Sequence, residues 1–542
     1  MRPLIGYWQE EQPSGAIVGA TVPRQEAGAI GAEHAVIVAS LAAISAAYFY
    51  AAISRSVADS FWMDEVLAAF AARQSTLSGV WQVIWSGTDF SPPTLHFLLH
   101  GYIKALGAEH SRLVWRLPSI LAVYGAACVT FLLLVKWRLS WAAAVLGFGA
   151  VLSLGLFTYA IQVRQYGLLA LGLATALFVW SGMDEARSAK ARACCLWLVL
   201  SACLSLHFYG IIQVATIGTA ELAYAISRRR VRVAVWSALL LTLPVEAALY
   251  PLASHLAAFN HGDNLATGYY AKPTLIALLR AEIDPVSGGI FGLLLLLAAA
   301  LTTGAALLCK RFDPRVRRSV SAEPAAGRSD AGFVMIALFL LPFVAFAFSF
   351  FVTKSFSARY VASAALLPAI AIPYVVDRLP WRRTVALTLV PLIVAALFLR
   401  AQAGYSVADV LAVLEKAKPP FPIVISEAGL YIELMEAAAP STRSRFVYLT
   451  TPPGLFSSDP TNENEVVRLA ALRSDYRVEE ENAFVGAHEN FYVLTRPTAS
   501  NDTITPFLAK SGLLGPPLYA ENNIQLFPSS APTHAQHSGI MP

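Results

Sequence analysis

Apolar stretches close to twenty residues long recur along most of this chain, and no other feature constrains its fold as much. About 20 residues at 1.5 Å rise cross a hydrocarbon core roughly 30 Å thick. In lipid, backbone N–H and C=O groups must be satisfied within their own segment, so such stretches have to be helices. With 56% hydrophobic and 14% charged residues over 542 positions, the composition excludes an ordinary soluble protein. We read eleven spans, at about 34–53, 116–135, 141–158, 165–182, 193–208, 210–227, 233–252, 286–309, 332–352, 360–377 and 384–400. The stretch 193–227 is the tightest, since it has to serve as two short spans broken at His207–Gly210.

The links between these spans alternate in charge. Lys136/Arg138, Arg187/Lys190/Arg192, Arg228–Arg230 with Arg232, Lys310/Arg311/Arg315/Arg317/Arg318 and Arg378/Arg382/Arg383 form basic clusters, and eleven spans put all of them on one side. The positive-inside rule makes that side cytoplasmic. The expectation is a cytoplasmic N-terminal segment, 1–33, and a C-terminus outside. Arg2, Glu10, Glu11, Arg24 and Glu26 precede the first span, which argues against a cleavable signal peptide. A net charge of +5, gathered in those links, gives no reason to expect nucleic acid as a partner. The cysteines (Cys128, Cys194, Cys195, Cys203, Cys309) lie in or beside apolar runs without a CxxC, and read as small core residues.

On the other side fall 54–115, about 159–164, 253–285, 353–359 and everything after about 401. In the first of these, "MDEVLAAFAARQ" and "SPPTLHFLLHGYIKALG" read as helices near the interface, with Pro92/Pro93 suited to a helix start. Trp62, Trp81, Trp85 and Trp115 fit an aromatic belt. Segment 253–285, with "GDNLATGYYAKP", has the composition of a loop that closes over substrate. Beyond 401, "FPIVISEAG", "RFVYLTT" and "ENFYVLTRP" read as strands, with "LYIELMEAAA" and "NEVVRLAALRSD" as helices between them. That is a small α/β domain over 402–500. It has no GxGxxG or P-loop, and it is followed by a polar, poorly ordered tail at 501–542.

Asp64 and Glu65, in "SFWMDEVLAAFAARQ", stand where a span opens onto the first external loop. Taken alone they are a solvated pair favoured by a helix N-terminus. Their company is more specific: "TDFSPPTLHFLLHGYIKALG", "RLVWRLPSILAVYGA", "YAIQVRQYGLLAL", "HFYG" and "SFSARYVASAALLP" follow in order. In these motifs residues 34–400 resemble the GT-C superfamily of polytopic glycosyltransferases. Members alike in pattern are the aminoarabinose lipid A transferases, the core galacturonosyltransferases of lipopolysaccharide and the protein O-mannosyltransferases.

The resemblance implies a polytopic α-helical membrane protein of about 11 transmembrane helices, with a GT-C-like domain over 34–401 and a periplasmic α/β domain. It implies transfer of a sugar from a polyprenyl-phosphate donor to an envelope acceptor (glycolipid, polysaccharide or protein). The setting is the outer face of a bacterial inner membrane, among its lipids. It carries an active-site role over to Asp64 and Glu65, and Arg164 and Tyr166 match the Arg and Tyr of the second loop. Many relatives have an acid two residues before that Arg, where this chain has Gln162, which hydrogen-bonds a hydroxyl but takes no proton. Asp89 is the candidate substitute acid.

The chemistry stands without the family. A sugar phosphate already carries a good leaving group, so the site needs cations for the growing phosphate charge. The acceptor hydroxyl needs a base, worth about 10²- to 10⁴-fold, or roughly 3–5 kcal/mol. Asp64 is assigned as base, with Glu65 orienting it or contacting the acceptor; the two roles are interchangeable at this level. Arg164 is the leading phosphate ligand, against an interfacial arginine reaching headgroups; Arg359 is second and Lys354 third. His207 and Tyr209 either line the pocket or cap a helix end. His96 and His100, four apart, have a spacing that could hold a divalent metal. No Glu or Cys joins them in sequence, the family needs no metal for this step, and no cofactor is required. The alternative is a non-catalytic transporter or flippase of lipid-linked sugars, for which broken spans, midplane charges and two related halves would be expected.

Overall fold

The computed structural model describes residues 24–184, 188–265, 271–287, 329–379, 381–402, 404–450, 461–497, 502 and 504–529. Eight helices there are long and apolar enough to cross a membrane: His34–Ala58, Arg112–Lys136, Ala189–Leu206, Phe208–Arg228, Val233–Phe259, Asp330–Thr353, Ala358–Val376 and Arg382–Gln402. Two shorter apolar helices, Trp141–Ser153 and Tyr166–Trp180, complete the match to ten of the expected spans. The other, 286–309, and the cluster Lys310–Arg318 lie outside the described residues. Core residues such as Ile44, Leu146, Leu173 and Ile370 are fully buried between helices, whereas Leu121, Ile226, Phe339 and Phe351 point outward and exposed. That distribution suits a lipid solvent, where outward apolar side chains carry no penalty.

Helix α1 (Arg24–Ala58) is followed by three short helices, α2 (Met63–Ala72), α3 (Leu77–Trp85) and α4 (Thr94–Leu106), before α5 (Arg112–Lys136). α2 and α4 are the expected interfacial helices. α3 is an addition, started by Thr76, whose hydroxyl accepts from the Gly79 N–H at 3.1 Å. α4 follows Pro93 and ends at Gly107 in the left-handed conformation (φ +59°), a regular helix stop. The break between the 189–206 and 211–228 helices falls at His207–Gly210, as read from the sequence. Glycine is required there, because a Cβ at Gly210 would sit 2.3 Å from the Cys203 carbonyl oxygen.

Where the structure describes them, basic links pair with acids. Arg232 pairs with Glu221 at 2.5 Å and lies 3.7 Å from Asp184; the Ser140 N–H donates to Asp377 at 2.9 Å, and Arg382 is 3.8 Å from the same carboxylate. The acids of segment 54–115 gather at one end of the bundle, against the C-terminal domain.

That domain is a six-stranded sheet in the order β3-β2-β1-β4-β6-β5, from β1 (Ile423–Ile425), β2 (Phe446–Thr450), β3 (Val478–Glu480), β4 (Tyr492–Thr495), β5 (Tyr519–Glu521) and β6 (Ile524–Pro528). β1 to β4 pair in parallel, with helices Ala428–Ala437, Thr461–Leu472 and Glu481–Ala487 in the crossovers. β6 adds antiparallel to β4, and β5 to β6. Residues 504–529 are therefore part of the domain, which corrects the reading of a tail from 501. A helix (Ile504–Lys510) and a tight hairpin through Asn522 and Asn523, both at positive φ, occupy this stretch. The domain is tied to the bundle by Ser60 and Tyr405 (N–H to carbonyl, 2.9 Å), Met63 N–H to Glu433 (3.1 Å) and Arg73 to Glu436 (2.5 Å).

Candidate active site

Asp64 and Glu65 fall in the first turn of α2, where unpaired backbone N–H groups favour anions. Neighbours on a helix point about 100° apart, and these two go separate ways. Glu65 turns inward and is 1% exposed. Arg116 holds it as a two-pronged pair, Nε to Oε1 at 2.8 Å and Nη2 to Oε2 at 2.7 Å. The Val163 N–H donates to Oε1 at 2.8 Å and the Trp62 N–H to Oε2 at 3.3 Å. Arg116 also donates to the carbonyls of Ser56, Asp59 and Ser60. Both Glu65 oxygens are thus taken. This corrects the expectation that Glu65 contacts the acceptor or exchanges roles with Asp64: it fastens α2 to α5 and to the 161–165 loop.

The "RLPS" motif gains a physical meaning at the same place. Arg116 holds Glu65, and Ser119 donates to the Arg164 carbonyl at 3.0 Å. One turn of α5 therefore sets both the acid-bearing helix and the arginine-bearing loop. The sequence reading passed over Arg116, although an arginine at the mouth of a span was a usable signal.

Asp64 faces the other way. Arg359 donates to its Oδ2 at 2.6 Å, and Arg164 Nη2 lies 3.7 Å from the same atom. Arg164 Nη1 donates to Asp89 Oδ2 at 2.8 Å, and His96 Nε2 is 3.1 Å from that oxygen. Carboxylates and guanidiniums thus alternate, Asp89–Arg164–Asp64–Arg359, with Asp64 between two cations. Burial opposes the charge on Asp89, but Arg164 and His96 outweigh it, helped by hydrogen bonds from His96 and Ser91, and hold this carboxyl far below the usual range. Burial likewise opposes the charge on Arg164, and Asp89 and then Asp64 overcome it and raise its pKa. Asp89, the candidate substitute acid, joins the cluster as the fixed partner of Arg164. The Arg164 Nε–H is buried with no acceptor among the described residues.

Aromatic rings wall the cluster. Tyr166 is 5.2 Å from Tyr159 and 5.8 Å from His207, centroid to centroid, and Tyr360 stacks on Tyr209 at 4.3 Å. The Tyr209 N–H donates to His207 Nδ1 at 2.9 Å, so the imidazole is neutral with its proton on Nε2. The Tyr209 hydroxyl bonds Ser349 and Thr353, fixing the segment that leads to Arg359. Tyr360 was missed in the sequence, where its only signal was adjacency to Arg359.

Two other candidates stand apart. Lys354 is exposed, and its Nζ donates to the Phe350 carbonyl at 2.6 Å on its own helix, so it does not join the cluster. Gln162 is half-buried and hydrogen-bonds no described residue; Gln165 is buried and donates to Ser91 at 3.3 Å. His100 is turned to the Ala72 carbonyl at 3.0 Å while His96 is on Asp89, so the pair does not converge. Among the described residues no group of three His, Cys, Asp or Glu could hold a metal ion. Of the expected lid, 266–270 lie outside the described residues, and helices Leu243–Leu265 and Leu275–Ser287 flank them.

At one end of the helical bundle, acids and arginines gather beneath an α/β domain. No protein-family model matches the sequence, and no curated protein is similar enough to match. Among solved structures, ArnT from Cupriavidus metallidurans in the apo state matches with a TM-score of 0.56 at 13% identity, over 92% of this chain and 98% of that one. The same protein bound to undecaprenyl phosphate gives 0.51 at 12%, over 90% and 97%. An Archaeoglobus fulgidus oligosaccharyltransferase, in complex with Zn and sulfate, follows at 0.41 and 14%, over 74% and 62%. At such identities the ArnT matches establish a shared fold.

Proposed function

We propose that this chain is a glycosyltransferase that moves a sugar from a polyprenyl-phosphate carrier to a hydroxyl of an envelope acceptor. The reaction takes place at the outer face of a bacterial inner membrane, with the N-terminus cytoplasmic and the C-terminal domain periplasmic. The observation that carries the reading is the buried carboxylate of Asp64 between Arg164 and Arg359, at the end of the bundle where a lipid carrier would surface. A fold shared with a protein solved with undecaprenyl phosphate supports it.

The geometry suggests an order of events. In this structure Arg359 is paired with Asp64. A donor phosphate between Arg164 and Arg359 competes for both guanidiniums and meets the unused Arg164 Nε–H. Losing its partner leaves Asp64 free to accept a proton. As the acceptor oxygen bonds to the anomeric carbon, its proton passes to Asp64. The carbon–oxygen bond to the carrier breaks, and its electron pair leaves with the phosphate, toward the arginines. Asp89 keeps Arg164 in place throughout.

The test is release of carrier phosphate from a polyprenyl-phosphate sugar by purified protein. Asp64→Asn is expected to lower the rate by about 10²- to 10⁴-fold with an unchanged melting temperature. Wild-type-like turnover by that variant defeats the assignment of the base. Transport of the intact lipid-linked sugar without release would instead favour a flippase.

A further inference from the structure

The Thr461–Leu472 helix belongs to the C-terminal domain, yet one of its faces reaches the membrane site. Arg468 donates to the Gly87 carbonyl at 3.0 Å and lies over the rings of Phe90 and Phe259, 5.4 and 4.9 Å from their centroids. Gly87 and Phe90 bracket Asp89, so this contact seats the helix on the Asp89 loop. Glu465 is three residues before Arg468, on the same face. It is 7% exposed, and its Oε2 has no hydrogen-bond partner among the described residues. Its charged neighbours are Asp64 and Asp89 from the first external loop, Arg359 from the Ala358–Ala365 segment and Arg468 from its own helix. A buried acid with an unused oxygen, brought by another domain into the company of Asp64, is not explained by packing. Val466 and Leu469 of the same helix fill the apolar core.

The ends of the site differ chemically. The arginines serve a phosphate whose lipid rises from the bundle, so the acceptor has to come from the side covered by the C-terminal domain. Resting on the glycosyltransferase reading, we propose that Glu465 is an acceptor-binding residue supplied by the C-terminal domain, which hydrogen-bonds the hydroxyl-bearing acceptor beside Asp64. Burial, and then the charges of Asp64 and Asp89, raise its carboxyl well above the usual range and favour the neutral acid, which both donates and accepts. The reacting proton still goes to Asp64; Glu465 holds the acceptor and changes no bond.

The experiment uses the full-length protein in detergent. Donor is the polyprenyl-phosphate sugar pool purified from cells lacking the chain, and acceptor is the solubilised envelope of those cells. Carrier release is followed against envelope concentration and, separately, against donor concentration. Glu465→Ala is expected to raise the half-saturating envelope concentration at least tenfold, with half-saturation by donor within twofold. Glu465→Gln, which keeps a donor and an acceptor in the same shape, is expected within threefold of wild type on both. An unchanged envelope dependence in Glu465→Ala overturns the proposal, as does a Gln variant as impaired as the Ala variant. Should Glu465→Ala not fold, Glu465→Met takes its place in the same comparison. If the wild-type protein itself releases no carrier, the failure lies with the glycosyltransferase reading.

Discussion

Side by side on α2, Asp64 and Glu65 have opposite fates, and the difference is measurable. Glu65 and Arg116 are each 1% exposed and paired through two hydrogen bonds. Removing one charge from a buried pair leaves the other uncompensated, which costs about 3–5 kcal/mol. Glu65→Gln is therefore expected to lower the melting temperature markedly in any detergent, and a variant as stable as wild type would contradict the fastening role. Asp64→Asn should leave stability nearly unchanged, since Arg359 keeps some exposure and Arg164 keeps Asp89. Asp64, Asp89, Arg164 and Arg359 were legible in the sequence because charge near apolar spans is costly and needs a reason. The division of labour between Asp64 and Glu65 was not, because which face of a short helix looks inward depends on what packs against it. Lys354 shows the converse: it is next in line to Arg359 by sequence, yet its left-handed backbone (φ +57°) turns it out to cap its own helix.

Between elements, the seam that joins α2 to the Ala428–Ala437 helix carries a titratable strut. Glu433 accepts from the Met63 N–H at 3.1 Å and from the Tyr405 hydroxyl. Burial pushes its carboxyl up to about 7, against the pull of Tyr405, Arg496 and the Met63 N–H, with Glu427 adding to the rise. Between the ordinary glutamate range and about pH 7, the native state keeps a proton that the unfolded state has lost. Stability from this group is thus full at low pH and falls as pH rises through that window. Wild-type melting temperature should drop between pH 5 and 8 by more than that of Glu433→Gln, and a larger drop in the variant would reverse the assignment. β1, β2 and β4 were readable from their apolar runs, whereas the short β3 and the Glu481–Ala487 helix after it were not. β5 and β6 were lost to the polar composition around them, although the Asn522–Asn523 pair between "LYAE" and "IQLF" was a hairpin signal in plain view.

Across the whole molecule, charge and chemistry are segregated to opposite ends. At one end Arg232 pairs with Glu221 and Asp184, and Arg382 with Asp377. At the other, Asp64, Asp89, Arg164 and Arg359 meet the C-terminal domain. The reaction proposed for the second end depends on the orientation we propose from the positive-inside rule, with the first end in the cytoplasm. A carrier already turned to the outer leaflet would present its phosphate only there. Single cysteines placed at the exposed positions Ser441 and Thr384, in a protein stripped of its own cysteines, report on the two ends. In spheroplasts, a membrane-impermeant maleimide is expected to label Ser441→Cys at once and Thr384→Cys only after detergent is added. The opposite pattern would leave Asp64 facing the cytosol, away from acceptors of the envelope, and the transfer reaction would have no substrate to act on.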